Sequence, residues 1–144
     1  MSETEFTFDE LEVGHTFSPL IYPIDQELIK DYVDTVGDQN PLHWDPSSAQ
    51  AAGYRQIVAP PTIAALYVLK AYRTDAMPPP GGVQVRQRFK FYEPILAGDV
   101  LRVQAWVADK YIQHGRKYLV IDSVAQNQKG AEVVWSESTS FWND

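Results

Sequence analysis

Apolar side chains recur at Leu28, Ile29, Tyr32, Val33 and Val36, the i, i+1, i+4, i+5, i+8 stripe of an amphipathic helix, with Asp25 placed as its N-cap and Gly37 as its stop. A helix is predicted over residues 26–36. Ahead of it, residues 17–24 mix apolar side chains with Pro19 and Pro23, which suits an edge or short strand better than a helix. Asp45-Pro46 sets an N-cap before a proline at the first helical position and predicts a short helix over 47–52, ended by Gly53. Pro60-Pro61 then open a segment through Tyr72 that is apolar almost all round. Prolines are tolerated there because the first N–H groups of a helix have no intrahelical acceptor. With so little polar face, this third helix is predicted to be buried.

After Pro78-Pro79-Pro80-Gly81-Gly82 the period changes to 2. Four runs rich in β-branched and aromatic residues follow, at 83–92, 100–111, 118–126 and 131–142, and the alternation is plain in Val83, Val85, Gln87, Phe89 and Phe91. The connectors Pro94 to Asp99, His114-Gly115 and Asn127 to Gly130 are short, which predicts antiparallel neighbours and a four-stranded meander. The expected architecture is α+β: one domain over residues 1–144, an antiparallel sheet wrapped around one central helix.

Composition narrows the function classes. Twelve Lys and Arg against nineteen Asp and Glu give a net charge of −7, so a broad basic face for nucleic acid is excluded. With no cysteine there is no disulfide, zinc-thiolate site, iron–sulfur cluster or thiol nucleophile. The acidic start, Met1 to Glu10, lacks the basic and apolar regions of an export signal, and no run reaches the ~20 apolar residues of a membrane span. A cytoplasmic protein without membrane attachment is expected.

Candidate chemistry sits in Gly37-Asp38-Gln39-Asn40-Pro41-Leu42-His43. Asp38 and His43 are five apart across a turn that can fold both toward one point, where a carboxylate and an imidazole can take a proton from water and return one elsewhere. An Asp that caps a turn beside a surface His is the structural alternative.

With Tyr32 ahead of it and Ala49 behind, this segment resembles the signature of the MaoC-like hydratases: the (R)-specific enoyl-CoA hydratases and 3-hydroxyacyl thioester dehydratases. Ala49 to Gly53 with Ile57-Val58, and Phe91 to Leu101, resemble later blocks of the same family. The resemblance implies a hot-dog fold, five antiparallel strands around a long central helix, with two such units per active particle. It implies Asp38 and His43 as the catalytic pair acting on a 2-enoyl or 3-hydroxyacyl thioester of CoA or an acyl-carrier protein, with no cofactor. Asn40 is expected to brace the turn or contact the pair and its substrate.

One departure is specific to this chain. Relatives usually supply the thioester oxygen with an N–H from a glycine just before the central helix, and here that region reads Ala59-Pro60-Pro61-Thr62. Proline has no N–H, so the expected substitute donors are the main-chain groups of Thr62 or Ile63, with the Thr62 hydroxyl assisting. A second function class follows from the same gap: an acyl-binding or structural subunit of a heterodimer whose partner supplies the missing parts. A thioesterase, which would direct water at C1, is disfavoured by the Asp38/His43 spacing.

Other residues carry less. Arg86, Arg88 and Lys90 alternate on one strand face, which reads first as a solvated outer face and second as a phosphate contact. His15 and His114 are expected in exposed turns, Trp44 is expected to pack, and Trp106, Trp135 and Trp142 are expected in a core or an interface. His43 and Asp45 lack a third metal ligand, so no metal is expected.

Overall fold

The computed structural model describes residues 4–143. Its elements are β1 (Leu20–Pro23), α1 (Gln26–Val36), α2 (Pro46–Ala51), α3 (Ala65–Val68), β2 (Val83–Phe91), β3 (Val100–Gln113), β4 (Arg116–Gln126) and β5 (Glu132–Trp142). The five strands form one antiparallel sheet in the order β1-β3-β4-β5-β2.

Local signals explain the helices. The Asp25 carboxylate accepts the Leu28 N–H at 2.7 Å, and Gly37, at φ 74°, closes α1 in the left-handed region that a side chain disfavours. The apolar stripe places Ile29 and Val33 in the core. Asp45 caps α2 through Ser47 N–H. The central segment is less regular than one long α-helix: α3 is flanked by 3₁₀ turns at Pro61–Ala64 and Lys70–Tyr72. Its Ile63, Ala64, Tyr67, Val68, Ala71 and Tyr72 are all buried, as an all-apolar segment requires. Against it the sheet turns Leu101, Val103, Ala105 and Val107 of β3, Leu119 and Ile121 of β4, and Val134 of β5. The hairpin between β3 and β4 uses His114 and Gly115 at φ 51° and 73°, the two positive values a type I′ turn demands.

The meander holds only for β3, β4 and β5. β2 pairs with β5 at the far edge of the sheet, not with β3. The connector of residues 92–99 is no hairpin turn: Ala59 N–H donates to Ile95 O and Ala97 N–H to Ile57 O, while Gly98 and Ile24 pair through Gly98 N–H to Ile24 O. It therefore crosses the end of the sheet, covering the ~14 Å of three strand spacings that separates β2 from β3.

Two aromatic environments also differ from expectation. His15 is half-buried in an edge-to-face cluster with Phe6 and Phe17, because the N-terminal segment folds back along the sheet. Trp44 is 55% exposed, its Nε1 donating to Gln39 O at 3.3 Å instead of packing. Trp142 is buried in the core.

The sheet face turned away from the helix carries a row formed by Trp106, Asp122, Glu137 and Arg88 across β3, β4, β5 and β2. Arg88 pairs with Glu137 at 3.1 Å, and Arg88 and Lys90 both lie over the Trp135 ring, so the basic strand face is an outer sheet face engaged with its own neighbours. Burial, then the adjacent Glu137 carboxylate, push the Asp122 carboxyl up to about 6 from its ordinary 3.8. A group raised on folding contributes stability that is complete below its unfolded value and is lost as pH rises through the folded one. Thermal melts should therefore show stability falling as pH rises from about 4 to about 7. Asp122→Asn is expected to flatten that decline and raise the melting temperature at pH 7. An unchanged profile would show that Asp122 is not its source.

Candidate active site

The turn after α1 is organised by its own side chains. Gly37 and Asp38 N–H groups both donate to Val33 O, which turns the chain out of the helix. Asp38 Oδ1 accepts the Asn40 N–H at 2.9 Å, and Asn40 Oδ1 accepts the Leu42 N–H at 3.1 Å, capping the 3₁₀ turn Pro41–His43. Asn40 thus braces the turn with its side-chain oxygen. Asp38 is half-buried and His43 is buried.

These successive turns bring Asp38 Oδ2 to 3.6 Å from His43 Nε2. On the other side of the ring, His43 Nδ1 lies 2.6 Å from Val58 O. A carbonyl can only accept, so Nδ1 carries the proton, and in the neutral ring Nε2 presents a lone pair. Two acceptors, Nε2 and Oδ2, then face each other at a separation longer than a hydrogen bond, an arrangement that suits a donor bonded to both. Val58 is itself fixed: its N–H donates to Leu42 O, and it bridges Leu96 of the crossing connector. A cleft of about 270 Å³ opens beside it, lined mainly by apolar groups of Val58, Ala59, Pro61, Phe91, Tyr92 and Ile95.

Thr62 and Ile63 separate in role. Ile63 N–H donates to Pro60 O within the 3₁₀ turn and its side chain is fully buried, so Ile63 is removed as a free donor. Thr62 is exposed, its N–H has no acceptor among the described residues, and its hydroxyl lies 2.6 Å from the Tyr32 hydroxyl. No group of three or more His, Asp or Glu side chains placed to hold a metal occurs among the described residues. Sequence reasoning missed Val58, and no residue-type signal could have found it, since any residue's carbonyl would serve.

The chain as a whole has known relatives. The family described as FAS1-like, dehydratase domain region, matches residues 12–136. The chain belongs to this family. A UPF0336 protein of Saccharopolyspora erythraea is 33% identical over 138 residues, covering 91% of this chain and 88% of the relative. Among solved structures, the HadBC (3R)-hydroxyacyl-ACP dehydratase complex of Mycobacterium tuberculosis is similar with TM-score 0.76 and 28% identity, covering 90% of this chain and 96% of that one. The R-hydratase PhaJ1 of Pseudomonas aeruginosa shares the fold, with TM-score 0.81 and 24% identity over 95% of this chain and 85% of that one. The sheet and central helical segment of this FAS1-like dehydratase-region protein are the hot-dog fold of the MaoC-like dehydratases, and its relatives include the HadBC dehydratase complex. No helix among the described residues is long and apolar enough to cross a membrane.

Proposed function

We propose that this chain adds water across the C2–C3 double bond of a 2-enoyl thioester, or removes it from the 3-hydroxyacyl thioester, with CoA or an acyl-carrier protein as the carrier. The observation that carries this reading is the facing pair of acceptors, Asp38 Oδ2 and His43 Nε2, with the imidazole held by Val58 O. A water that donates one hydrogen to each presents its oxygen lone pairs to C3. Its hydroxyl adds to C3 and its proton, taken up by the pair, is returned to C2, so one water is consumed and no redox partner or cofactor is needed. Negative charge that grows on the thioester oxygen is met by Thr62 N–H. The test is hydration of crotonyl-CoA by the purified chain, followed as loss of the conjugated enoyl thioester. Turnover supports the reading, and none with the folded chain overturns it.

A partner subunit is the second part of the proposal. β2 is a nine-residue edge strand with hydrogen-bonding groups unpaired on one side and with Val83, Val85 and Phe91 exposed. Such an edge is normally covered. Pairing two β2 edges would join two sheets, as a two-fold homodimer or as a heterodimer with a related subunit. Solved relatives include heteromeric complexes, HadBC and ChsH1-ChsH2 of Mycobacterium tuberculosis. The missing N–H groups of Pro60 and Pro61 favour such a partner. Light scattering at micromolar concentration should give twice the 16.3-kDa chain mass, and Val85→Lys should halve it. A monomeric wild-type chain would remove the homodimer and leave the heterodimer.

A further inference from the structure

The segment that holds His43 and the segment that holds Asp38 are each tied to residues 58–62. His43 bonds to Val58 O, and Tyr32, six residues before Asp38 on α1, bonds through its hydroxyl to Thr62 Oγ1, four residues after Val58. The second tie has a property the first lacks. Each hydroxyl carries one proton and can also accept, and only one of the two protons is used between them. Whichever group donates, one hydroxyl proton is left for a third acceptor. Thr62 is the exposed member of the pair and Tyr32 the half-buried one. The arrangement that serves a molecule arriving from solvent is therefore Tyr32 donating inward to Thr62 Oγ1, with the Thr62 proton directed outward.

We infer that Tyr32 is a positioning residue that holds the Thr62 hydroxyl as a hydrogen-bond donor to the thioester oxygen of the substrate. This inference rests on the hydratase reading above and extends it. It gives a chain whose Pro60 and Pro61 lack N–H groups a second donor, beside the Thr62 N–H, for the charge that develops on that oxygen. A threonine hydroxyl turning freely among rotamers would be a poor donor, because catalysis by such groups depends on their being oriented before charge develops. The Tyr32 bond removes that freedom: it fixes Oγ1 at 2.6 Å from a phenol carried on a packed helix.

Steady-state kinetics with crotonyl-CoA on the wild-type chain, Tyr32→Phe, Thr62→Val, Thr62→Ser and the double variant Tyr32→Phe/Thr62→Val test it. Thr62→Val should lower kcat by about 10²-fold, the effect of losing one donor to a developing oxyanion. Tyr32→Phe should lower kcat by about 10-fold with KM changed less than about twofold, since the interaction is made chiefly in the transition state. The double variant should be no slower than Thr62→Val alone, because Tyr32 acts only through that hydroxyl. Thr62→Ser, which keeps the hydroxyl, should recover activity to within about threefold of wild type. A Tyr32→Phe variant with wild-type kcat, or losses that multiply in the double variant, would overturn the inference while leaving the hydratase reading intact. So would Thr62→Ser as slow as Thr62→Val, an outcome that does not depend on how Tyr32→Phe folds. A folded wild-type chain with no turnover overturns the hydratase reading, and this inference with it.

Discussion

Asp38→Asn and His43→Ala are each expected to lower kcat for hydration of a 2-enoyl thioester by about 10²–10⁴-fold while the chain stays folded. The size follows from what each change does to the facing acceptors. Asparagine at 38 keeps the shape of the side chain but cannot take a proton, and one of its two terminal atoms becomes a donor. If the oxygen stays on the Asn40 N–H, the NH₂ faces Nε2 and bonds to it directly, displacing the water that both acceptors would hold. Alanine at 43 removes Nε2 altogether and leaves Val58 O without its donor, a loss of about 1 kcal/mol that the fold can absorb. Because the two groups act on one water, their losses should not multiply: the double variant is expected to be about as slow as the slower single one. Kinetics on crotonyl-CoA together with thermal melts check this. Activity within about threefold of wild type in either folded variant would remove the pair from catalysis.

How much of this was legible beforehand depends on the range of the forces involved. The caps at Asp25 and Asp45 and the left-handed Gly37 are decided within four residues, and residue type alone carries them. The turn from Gly37 to His43 was legible in the same way, through side chains that bond to N–H groups two residues on. The partner of β2 was not, since a connector of a few residues fits both a hairpin and a crossing, and only pairing with residues 57–59 and Ile24 decides between them. Ile63 is expected as a donor because first-turn N–H groups lack acceptors, but a 3₁₀ turn bonds at i−3 and takes that N–H one position earlier than an α-helix would. The carbonyl that orients His43, the exposure of Trp44 and the aromatic nest of His15 belong to tertiary packing, which no local pattern encodes.

The other large expected effect lies away from the reacting atoms. Asp99 is 3% exposed, and three donors converge on its carboxylate: Arg55 Nη2 at 2.6 Å and Gln128 Nε2 at 2.9 Å on Oδ1, and Leu96 N–H at 2.9 Å on Oδ2. These bonds close the turn of residues 96–99, and through Ala59 N–H to Ile95 O and Ala97 N–H to Ile57 O that turn holds the strand-like segment on which Val58 sits. The Asp99 carboxylate is therefore linked to the His43 ring through the main-chain bonds between residues 95–97 and 57–59. Asp99→Ala is expected to destabilise the chain by roughly 2–4 kcal/mol, less than three charge-assisted bonds would sum to, because half-exposed Arg55 regains water while Leu96 N–H and the Gln128 amide lose their acceptor. For a chain of this length that corresponds to a fall of about 5–15 °C in melting temperature. Asp99→Asn should recover little of the loss: every partner is a donor, and an amide offers only one oxygen and sets an NH₂ against the rest. Urea denaturation and melts of both variants provide the check. An Asp99→Ala chain that melts within about 2 °C of wild type would show that main-chain pairing alone holds the turn, and that the support of His43 does not pass through this carboxylate.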